Sequence, residues 1–210
     1  MTATHPAAIK LGRVQLVRKA VLSAVVAATV VLLIFGDSYW TGGGPFHETI
    51  EWTGIGLIVF CIVGRTWCSI YIAGRKVKRL VSDGPYSVSR NPLYVFSIIG
   101  AAGAGAQLGS IVLALAAGFI AWVVFYVVVK KEERALTAKL GLPYLQYLSE
   151  VPRFLPNWSL WRDSEKIEVR PYLIVRTFFD ACVFLLAIPL AEGFEYLHEI
   201  GILPVLATLP

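Results

Sequence analysis

Five apolar runs alternate with polar segments along the chain, and this pattern predicts an all-α protein. The runs cover residues 20–35, 50–72, 92–108, 111–129 and 175–190. A helix needs about 20 apolar residues to cross a bilayer, and some of the runs are a little shorter. We therefore expect a polytopic membrane helix bundle of about five transmembrane helices. The last ten residues are too short to span and are expected at the outer membrane surface.

Residues that favour or break helices refine the third and fourth predicted helices. Glycine and alanine dominate residues 100–106, which predicts close packing of the third helix against the fourth in a hairpin. The fourth helix has no breaker before Leu140, so we expect it to extend beyond the bilayer, to end at Gly141 and to be kept from resuming by Pro143. The proline-rich segment 143–171 is expected to be ordered but irregular.

Composition supports an integral membrane protein. Hydrophobic residues make up 57% of the 210 and charged residues only 16%, whereas soluble domains carry about 25% charged residues. The length fits one domain over residues 1–210. The three cysteines lie in apolar runs, the three histidines are scattered, and neither set has the spacing of a metal site. The sequence therefore predicts no metal.

The charged residues predict the orientation of the bundle. If the N-terminus is cytoplasmic, every lysine and arginine except Arg65, which lies inside the second run, falls on the cytoplasmic side. The charged residues expected on the opposite side are all acidic: Asp37, Glu48, Glu51, Glu192, Glu195 and Glu199. The positive-inside rule favours this topology, with the C-terminus outside. The net charge of +5 thus reflects topology, and no basic stripe with interleaved aromatic residues indicates nucleic acid.

The polar segment 82–94, Ser-Asp-Gly-Pro-Tyr-Ser-Val-Ser-Arg-Asn-Pro-Leu-Tyr, separates the second and third runs on the predicted cytoplasmic side. Gly84-Pro85 predicts a turn. Ser89 or Asn91 is suited to cap the third helix, and Pro92 to its first position. These features also fit a loop with a purely structural role.

Tyrosines and an acidic pair on the same predicted side indicate a ligand. Tyr86 and Tyr94 offer aromatic faces to a heterocycle or a cation, and the start of the third helix offers N–H groups to an anion. Glu132, beside Glu133, can bind a hydroxyl or an ammonium group. S-adenosylmethionine carries all of these groups, but nucleotides and lipid headgroups share several of them. The residues alone leave the ligand open.

Two groups of residues between positions 80 and 156 form a pattern with a known counterpart. The chain reads Leu80-Val81-Ser82-Asp83-Gly84-Pro85-Tyr86, then Ser89-Arg90-Asn91-Pro92-Leu93-Tyr94, and later Glu132-Glu133, Leu136, Gly141, Tyr144, Tyr147, Val151-Pro152-Arg153 and Pro156. In this order and spacing they resemble the isoprenylcysteine carboxyl methyltransferase family, whose wider relatives include the phospholipid methyltransferases. The resemblance covers about residues 75–157, and an extra C-terminal helix is expected at about 172–190.

The resemblance implies an S-adenosylmethionine-dependent membrane methyltransferase without a metal. Its cofactor site would lie between the connection of the second and third helices, the extended end of the fourth and the proline-rich segment that follows. Carried over position by position, the cofactor-binding residues are Lys78, Arg79, Leu80, Val81, Tyr86, Asn91, Pro92, Leu93, Tyr94 and Glu132. Two of these depart from the pattern, since Lys78 and Asn91 stand where the prenylcysteine enzymes commonly have histidines. A lipophilic or prenylated substrate would enter sideways from the membrane lipids.

A third departure concerns the methyl acceptor. Val128 stands where those enzymes have an arginine that contacts the substrate. Arg65, Arg134 and Arg153 are alternative sources of that charge, and Arg65 and Arg153 are the candidates for a catalytic role. An arginine at mid-bilayer costs about 2.5–3.5 kcal/mol and often marks a site. Arg65 is equally suited to extend its side chain to the membrane surface.

The function predicted is methyl transfer to a lipophilic acceptor, with carboxyl O-methylation of an isoprenylcysteine-type substrate slightly favoured. N-methylation of a phospholipid amine, or methylation of another small lipophilic acceptor, is the alternative. A non-enzymatic transporter or scaffold is the alternative of a different class. The small number of ionisable residues within the spans argues against a transporter. By analogy with the family, the expected location is a bacterial inner membrane.

Overall fold

The computed structural model describes residues 36–38, 44–73, 80–202 and 207–209. The first predicted span, residues 20–35, and the predicted cofactor residues Lys78 and Arg79 lie outside the described residues. Within them the helices are α1 (Pro45–Ile72), α2 (Pro85–Val88), α3 (Pro92–Ala106), α4 (Ile111–Leu140), α5 (Leu142–Glu150), α6 (Pro171–Cys182) and α7 (Ala187–Glu199). Two 3₁₀ turns, Trp158–Leu160 and Val183–Leu186, and a parallel pair of short strands, β1 (Gly36–Ser38) and β2 (Ala207–Leu209), complete the described chain.

The fold is an all-α membrane helix bundle, as predicted. Three described helical stretches are long and apolar enough to cross a membrane: Pro45–Ile72, Ile111–Leu140 and Pro171–His198. The apolar helix α3 has only 15 residues, about 22 Å at 1.5 Å per residue, so it is shorter than the hydrocarbon core of a bilayer. Large apolar side chains such as Trp52, Leu115 and Phe179 are exposed on the outside of the bundle, as expected of a surface that faces lipid.

Small residues bring α1, α3 and α4 into close contact. A Cβ on Gly54 of α1 would lie 2.8 Å from the carbonyl oxygen of Gly103 on α3. A Cβ on Gly105 would lie 2.6 Å from the carbonyl oxygen of Leu113 on α4. These approaches increase van der Waals contact between helices that gain little hydrophobic energy in lipid. The predicted hairpin of α3 and α4 is confirmed.

Two predictions about helix ends need correction. Helix α4 ends at Gly141, where φ is +64°, as predicted, but Pro143 does not keep the helix from resuming. Proline in the first turn of α5 removes an N–H that has no helical partner, so residues 142–150 are helical, where an irregular segment was expected. The C-terminal helix begins at Pro171 and continues to Glu199 with a 3₁₀ turn inside it, beyond the predicted 172–190.

Candidate functional site

The polar segment 84–94 is folded into a compact turn at one end of the bundle. Gly84 has φ of +56°, and a Cβ there would lie 2.2 Å from the ring of Tyr71. The single turn α2 follows directly, and residues 84–89 are all buried. Both backbone conformation and space therefore require glycine at position 84. Burial of a polar, proline-containing turn means that its backbone groups need partners elsewhere in the chain.

Those partners come from the segment after α5. The N–H of Arg90 donates to the carbonyl oxygen of Pro152 at 2.8 Å, and the N–H of Asn157 donates to that of Val88 at 2.9 Å. The N–H of Gly84 donates to the carbonyl oxygen of Arg162 at 2.7 Å. Segments distant in sequence are thus held together, as the resemblance implied. We call this region, formed by residues 84–94, 132–133 and 151–163, the motif end of the bundle.

Asn91 does not cap helix α3 with its side chain, although it occupies the N-cap position. Its amide Nδ2 donates instead to the carbonyl oxygen of Arg153 at 3.2 Å. The hydroxyl of Ser89 donates to the carbonyl oxygen of Phe154 at 3.0 Å. Asn91 is thus the N-cap residue, as predicted, but its side chain makes no cap hydrogen bond. The side chains of Ser89 and Asn91 instead connect the turn to the segment after α5.

Glu133 is the charged centre of the motif end. Its side chain is 8% exposed. Arg153 binds the carboxylate in a forked geometry, with Nε 3.1 Å and Nη2 2.8 Å from Oε2, and Arg90 Nε lies 3.5 Å from Oε1. The hydrogen bond to Glu133 raises the pKa of Arg153. The guanidinium of Arg153 also lies over the ring of Tyr126, 5.5 Å from its centroid.

The sequence had singled out Glu132 and not Glu133. The two glutamates differ in their position relative to the buried apolar face of the helix. Ala121, Phe125 and Val129 are buried on α4 at intervals of four residues, and Glu133 continues that series. Glu132, one position earlier, is half-buried. The buried carboxylate was therefore identifiable from the apolar pattern of its own helix.

Three buried tyrosines line the same region. Tyr147 Oη donates to the carbonyl oxygen of Tyr86 at 2.7 Å. Burial raises the pKa of Tyr86 well above its ordinary value, and it raises the pKa of Tyr144 and Tyr147 as well. The negative charge of Glu132 adds a smaller contribution to the rise for Tyr86 and Tyr144. All three hydroxyls therefore stay protonated at neutral pH and can donate hydrogen bonds.

Tyr86 has an additional property. Its side chain is 5% exposed, and among the described residues its hydroxyl makes no hydrogen bond. A buried hydroxyl without a partner costs about 1–3 kcal/mol. Such a group is a candidate for binding a ligand that supplies the missing acceptor.

The structure brings most of the predicted cofactor residues together. Leu80 packs against the cluster of Tyr144, Tyr147 and Val151, and Val81 packs against the cluster that contains Tyr71 and Tyr86. Residues 91–94 form the start of α3 beside the turn. The ring of Tyr94 contacts that of Phe125 on α4 at a tilt of 37°, with ring centroids 4.9 Å apart. The start of α3 therefore lies against α4, and the turn contacts the end of α4 through Arg90 and Glu133.

The positions relevant to an acceptor are arranged differently. Val128 is 1% exposed and belongs to an apolar cluster with Phe125 and Val129. It brings no charge to the place where the resemblance expects an arginine. Arg65 lies on α1 and donates through Nη1 to Ser97 Oγ on α3, whereas Arg153 is bound to Glu133. The two arginine candidates thus have different partners.

Comparison with known proteins identifies relatives of the chain. Residues 64–141 match the model of the phospholipid methyltransferase family. The chain is 32% identical to the cobalt-zinc-cadmium resistance protein CzcN of Cupriavidus metallidurans over 194 residues, which is 91% of this chain and 88% of that protein. It is 32% identical to the nickel-cobalt-cadmium resistance protein NccN of Alcaligenes xylosoxydans xylosoxydans over 186 residues, 89% of this chain and 86% of that protein. No solved structure matches the chain significantly.

Proposed function

Since the chain belongs to the same protein family as CzcN and NccN, and its residues 64–141 match the phospholipid methyltransferase family, we propose that it is an integral membrane methyltransferase. S-adenosylmethionine is its methyl donor, and a lipophilic molecule is the acceptor. The observation that carries the proposal is the motif end itself. There the turn 84–94, the end of α4 and the segment 151–157 are held together around the buried Glu133.

The residues present fit this cofactor. S-adenosylmethionine carries a carboxylate, an ammonium group, ribose hydroxyls and a flat adenine, and it supplies an electrophilic methyl group on a sulfonium sulfur. Arg90 and Arg153 carry two positive charges against the one negative charge of Glu133, so this cluster can accept a carboxylate. Glu132 can bind the ammonium group or the ribose. The hydroxyl of Tyr86 lacks an acceptor, which the cofactor would provide.

The acceptor we place first is a carboxylate of an isoprenylcysteine-type lipid. A carboxylate is already a nucleophile and needs no general base. The tyrosines nearby are held protonated, so they supply no base at neutral pH. Arg65, half-buried on α1, is the residue we assign to binding the acceptor's negative charge.

A phospholipid amine is the second candidate. It is favoured by the apolar surroundings of Val128 and by the match to the phospholipid methyltransferases. In both cases the S–CH₃ bond of the donor breaks and its electron pair stays on sulfur, while a new O–CH₃ or N–CH₃ bond forms. An ammonium acceptor must first lose a proton.

We also propose an orientation and a physiological setting. The motif end faces the cytoplasm, because the lysines and arginines outside the spans collect there. Both relatives are named for resistance to divalent metals, and we extend this role to the chain. If methylation is needed for that role, variants without cofactor binding lose the tolerance of a host to cobalt, zinc or cadmium. If those variants keep the tolerance, the result would favour a non-enzymatic protein, such as a transporter or scaffold.

Transfer of a labelled methyl group tests the activity and the acceptor together. The full chain in lipid nanodiscs is given labelled S-adenosylmethionine with a prenylated cysteine, phosphatidylethanolamine or a total lipid extract in parallel. We expect label in the prenylated cysteine, and at least ten-fold less with Glu132→Gln. Glu165→Gln, at an exposed position of the segment before α6, is the matched control. Label only in the aminophospholipid would overturn the proposal of carboxyl methylation. Absence of label from every acceptor would overturn the proposal that the chain is a methyltransferase.

A further inference from the structure

A second cluster of ionisable side chains lies at the other end of α1, away from the motif end. His47 is in the first turn of α1, Glu51 follows one turn later, and Glu195 belongs to α7. His47 Nε2 lies 3.2 Å from Glu51 Oε1 and 3.4 Å from Glu195 Oε1. One nitrogen and one oxygen of each carboxylate lie within 4.8 Å of one another. We call this region the histidine end.

The imidazole of this cluster is largely buried and the two carboxylates are partly exposed, an arrangement that favours a ligand. The side chain of His47 is 11% exposed, and its Nε2 is directed at the two carboxylates. The side chains of Glu51 and Glu195 are 31% and 33% exposed. One Nε2 carries at most one hydrogen, which it can donate to one carboxylate fully. The two carboxylates also repel each other, and a cation between the three groups would attract both.

The distances match those between ligands of a single metal ion. Zinc lies about 2.0–2.1 Å from a histidine nitrogen and about 2.0–2.2 Å from a carboxylate oxygen. In a tetrahedral site, ligand atoms at these distances are about 3.3–3.5 Å apart. The observed 3.2 and 3.4 Å from Nε2 to the two carboxylate oxygens lie close to this range, and all three atoms lie within 4.8 Å of one another. Imidazole with carboxylates suits divalent transition metals, whereas calcium and magnesium prefer oxygen ligands alone.

The backbone around the cluster is shaped to hold the imidazole. Gly109, in the turn between α3 and α4, has φ of +62°, and a Cβ there would lie 1.9 Å from His47 Nδ1. Gln107 donates through Nε2 to the carbonyl oxygen of Glu51 at 3.1 Å. The turn therefore makes room for the ring on one side and fixes the first turns of α1 on the other.

We propose that His47 Nε2, Glu51 and Glu195 bind one divalent transition-metal ion such as Zn²⁺. Three protein ligands leave a further coordination position for water. The ion would join α1 to α7, which come from distant parts of the sequence. Sequence spacing predicted no metal here, because the ligands meet only after α7 packs against the start of α1. This site is separate from the motif end and does not depend on the proposed methyl transfer.

Equilibrium dialysis of the untagged full chain in detergent tests the site. Chelator-treated protein is dialysed against micromolar Zn²⁺ with excess Mg²⁺, and bound zinc is counted by mass spectrometry. We expect one zinc per chain, and an X-ray absorption spectrum with one imidazole and at least two oxygen ligands. Glu195→Gln and Glu51→Gln should each weaken binding at least ten-fold. Zinc should raise the melting temperature of the wild type but not that of Glu195→Gln.

The chain offers matched controls. Glu48 lies in the same turn of α1 as His47, and Glu192 lies one turn before Glu195 on α7, and both are exposed. Glu48→Gln and Glu192→Gln should bind zinc as the wild type does. Circular dichroism verifies the helix content of every variant. His47→Gln should also weaken zinc binding, and Glu195→Gln carries the test if His47→Gln fails to fold. Absence of bound zinc, or equal binding by the wild type and Glu195→Gln, would overturn the proposal.

Discussion

The two ends of the bundle differ in the ratio of carboxylates to basic side chains in their ionic clusters. At the motif end one carboxylate, Glu133, is bound by two arginines. At the histidine end one imidazole, His47, faces two carboxylates. The cluster of Arg90, Arg153 and Glu133 carries one more positive than negative charge, whereas the cluster of His47, Glu51 and Glu195 has two carboxylates facing one imidazole nitrogen. The motif end is thus suited to an anionic group of a ligand, and the histidine end to a cation.

The largest effect is expected from breaking the ion pair at the motif end. Glu133→Gln leaves Arg90 and Arg153 without their counter-charge in a buried setting, which typically costs about 3–5 kcal/mol. The free energy of unfolding, measured with denaturant in detergent, should fall by that amount. Glu132→Gln, one position away and half-buried, should change stability by less than about 1 kcal/mol. Equal losses in the two variants would remove the structural distinction between these glutamates.

A second prediction concerns the turn that holds His47. Gly109→Ala puts a side chain on a residue with φ of +62° and 1.9 Å from the imidazole. Strain alone costs about 1–2 kcal/mol, and overpacking adds about 1–3 kcal/mol. Gly141→Ala is the control, because φ is +64° there and nothing lies within 4 Å of the added Cβ. Thermal unfolding should show a larger loss for Gly109→Ala, accompanied by loss of zinc. Similar losses would mean that the imidazole does not need this space.

The buried tyrosines predict that stability falls at high pH. Burial raises the pKa of Tyr86 in the folded chain, so the unfolded chain releases its proton first, above pH about 10. Stability from this group is complete below that pH and is lost as the pH rises, by up to about 1.4 kcal/mol per pH unit. Unfolding measured between pH 9 and 11 should show a smaller decline for Tyr86→Phe. Tyr172→Phe, at a position that is 67% exposed, should decline like the wild type.

The smallest expected effect is the difference in stability between removing the hydroxyl of Tyr147 and removing that of Tyr86. Tyr147→Phe removes the 2.7 Å hydrogen bond to the carbonyl oxygen of Tyr86 and should lower the free energy of unfolding by about 1 kcal/mol. Tyr86→Phe removes a hydroxyl without a hydrogen bond among the described residues, so stability should be unchanged or slightly higher. A clear loss of stability in Tyr86→Phe would show that its hydroxyl has a structural partner.

Much of the helical framework could be predicted because its signals are local. Helices are predicted from the apolar runs at 50–72 and 92–108, and one helix end is predicted from the glycine at 141, without knowledge of the fold. Pro143 misled the prediction, since proline stops a helix from continuing but is also favoured in the first turn of a new one. Local sequence could not decide between these two uses.

The sites depend on contacts between distant segments and were only partly predictable. The resemblance located residues 80–94 and the acidic pair, but the bond between Arg153 and Glu133 depends on how the segment after α5 folds back. Asn91 looked like a helix cap and instead binds the carbonyl oxygen of Arg153. The meeting of His47 with Glu195 depends on the packing of α7 against α1. Such pairs follow from tertiary structure, which short-range patterns do not encode.

Calorimetric titration of the full chain in nanodiscs with S-adenosylmethionine tests whether the motif end binds the cofactor. We expect one site per chain, at least ten-fold weaker binding in Tyr86→Phe and Glu132→Gln, and unchanged binding in Glu195→Gln at the histidine end. Because Tyr86→Phe is expected to keep its stability, its loss of affinity would identify the hydroxyl as a ligand contact. Absence of binding by the wild type, or equal affinity in all four proteins, would contradict the assignment of the motif end as the cofactor site.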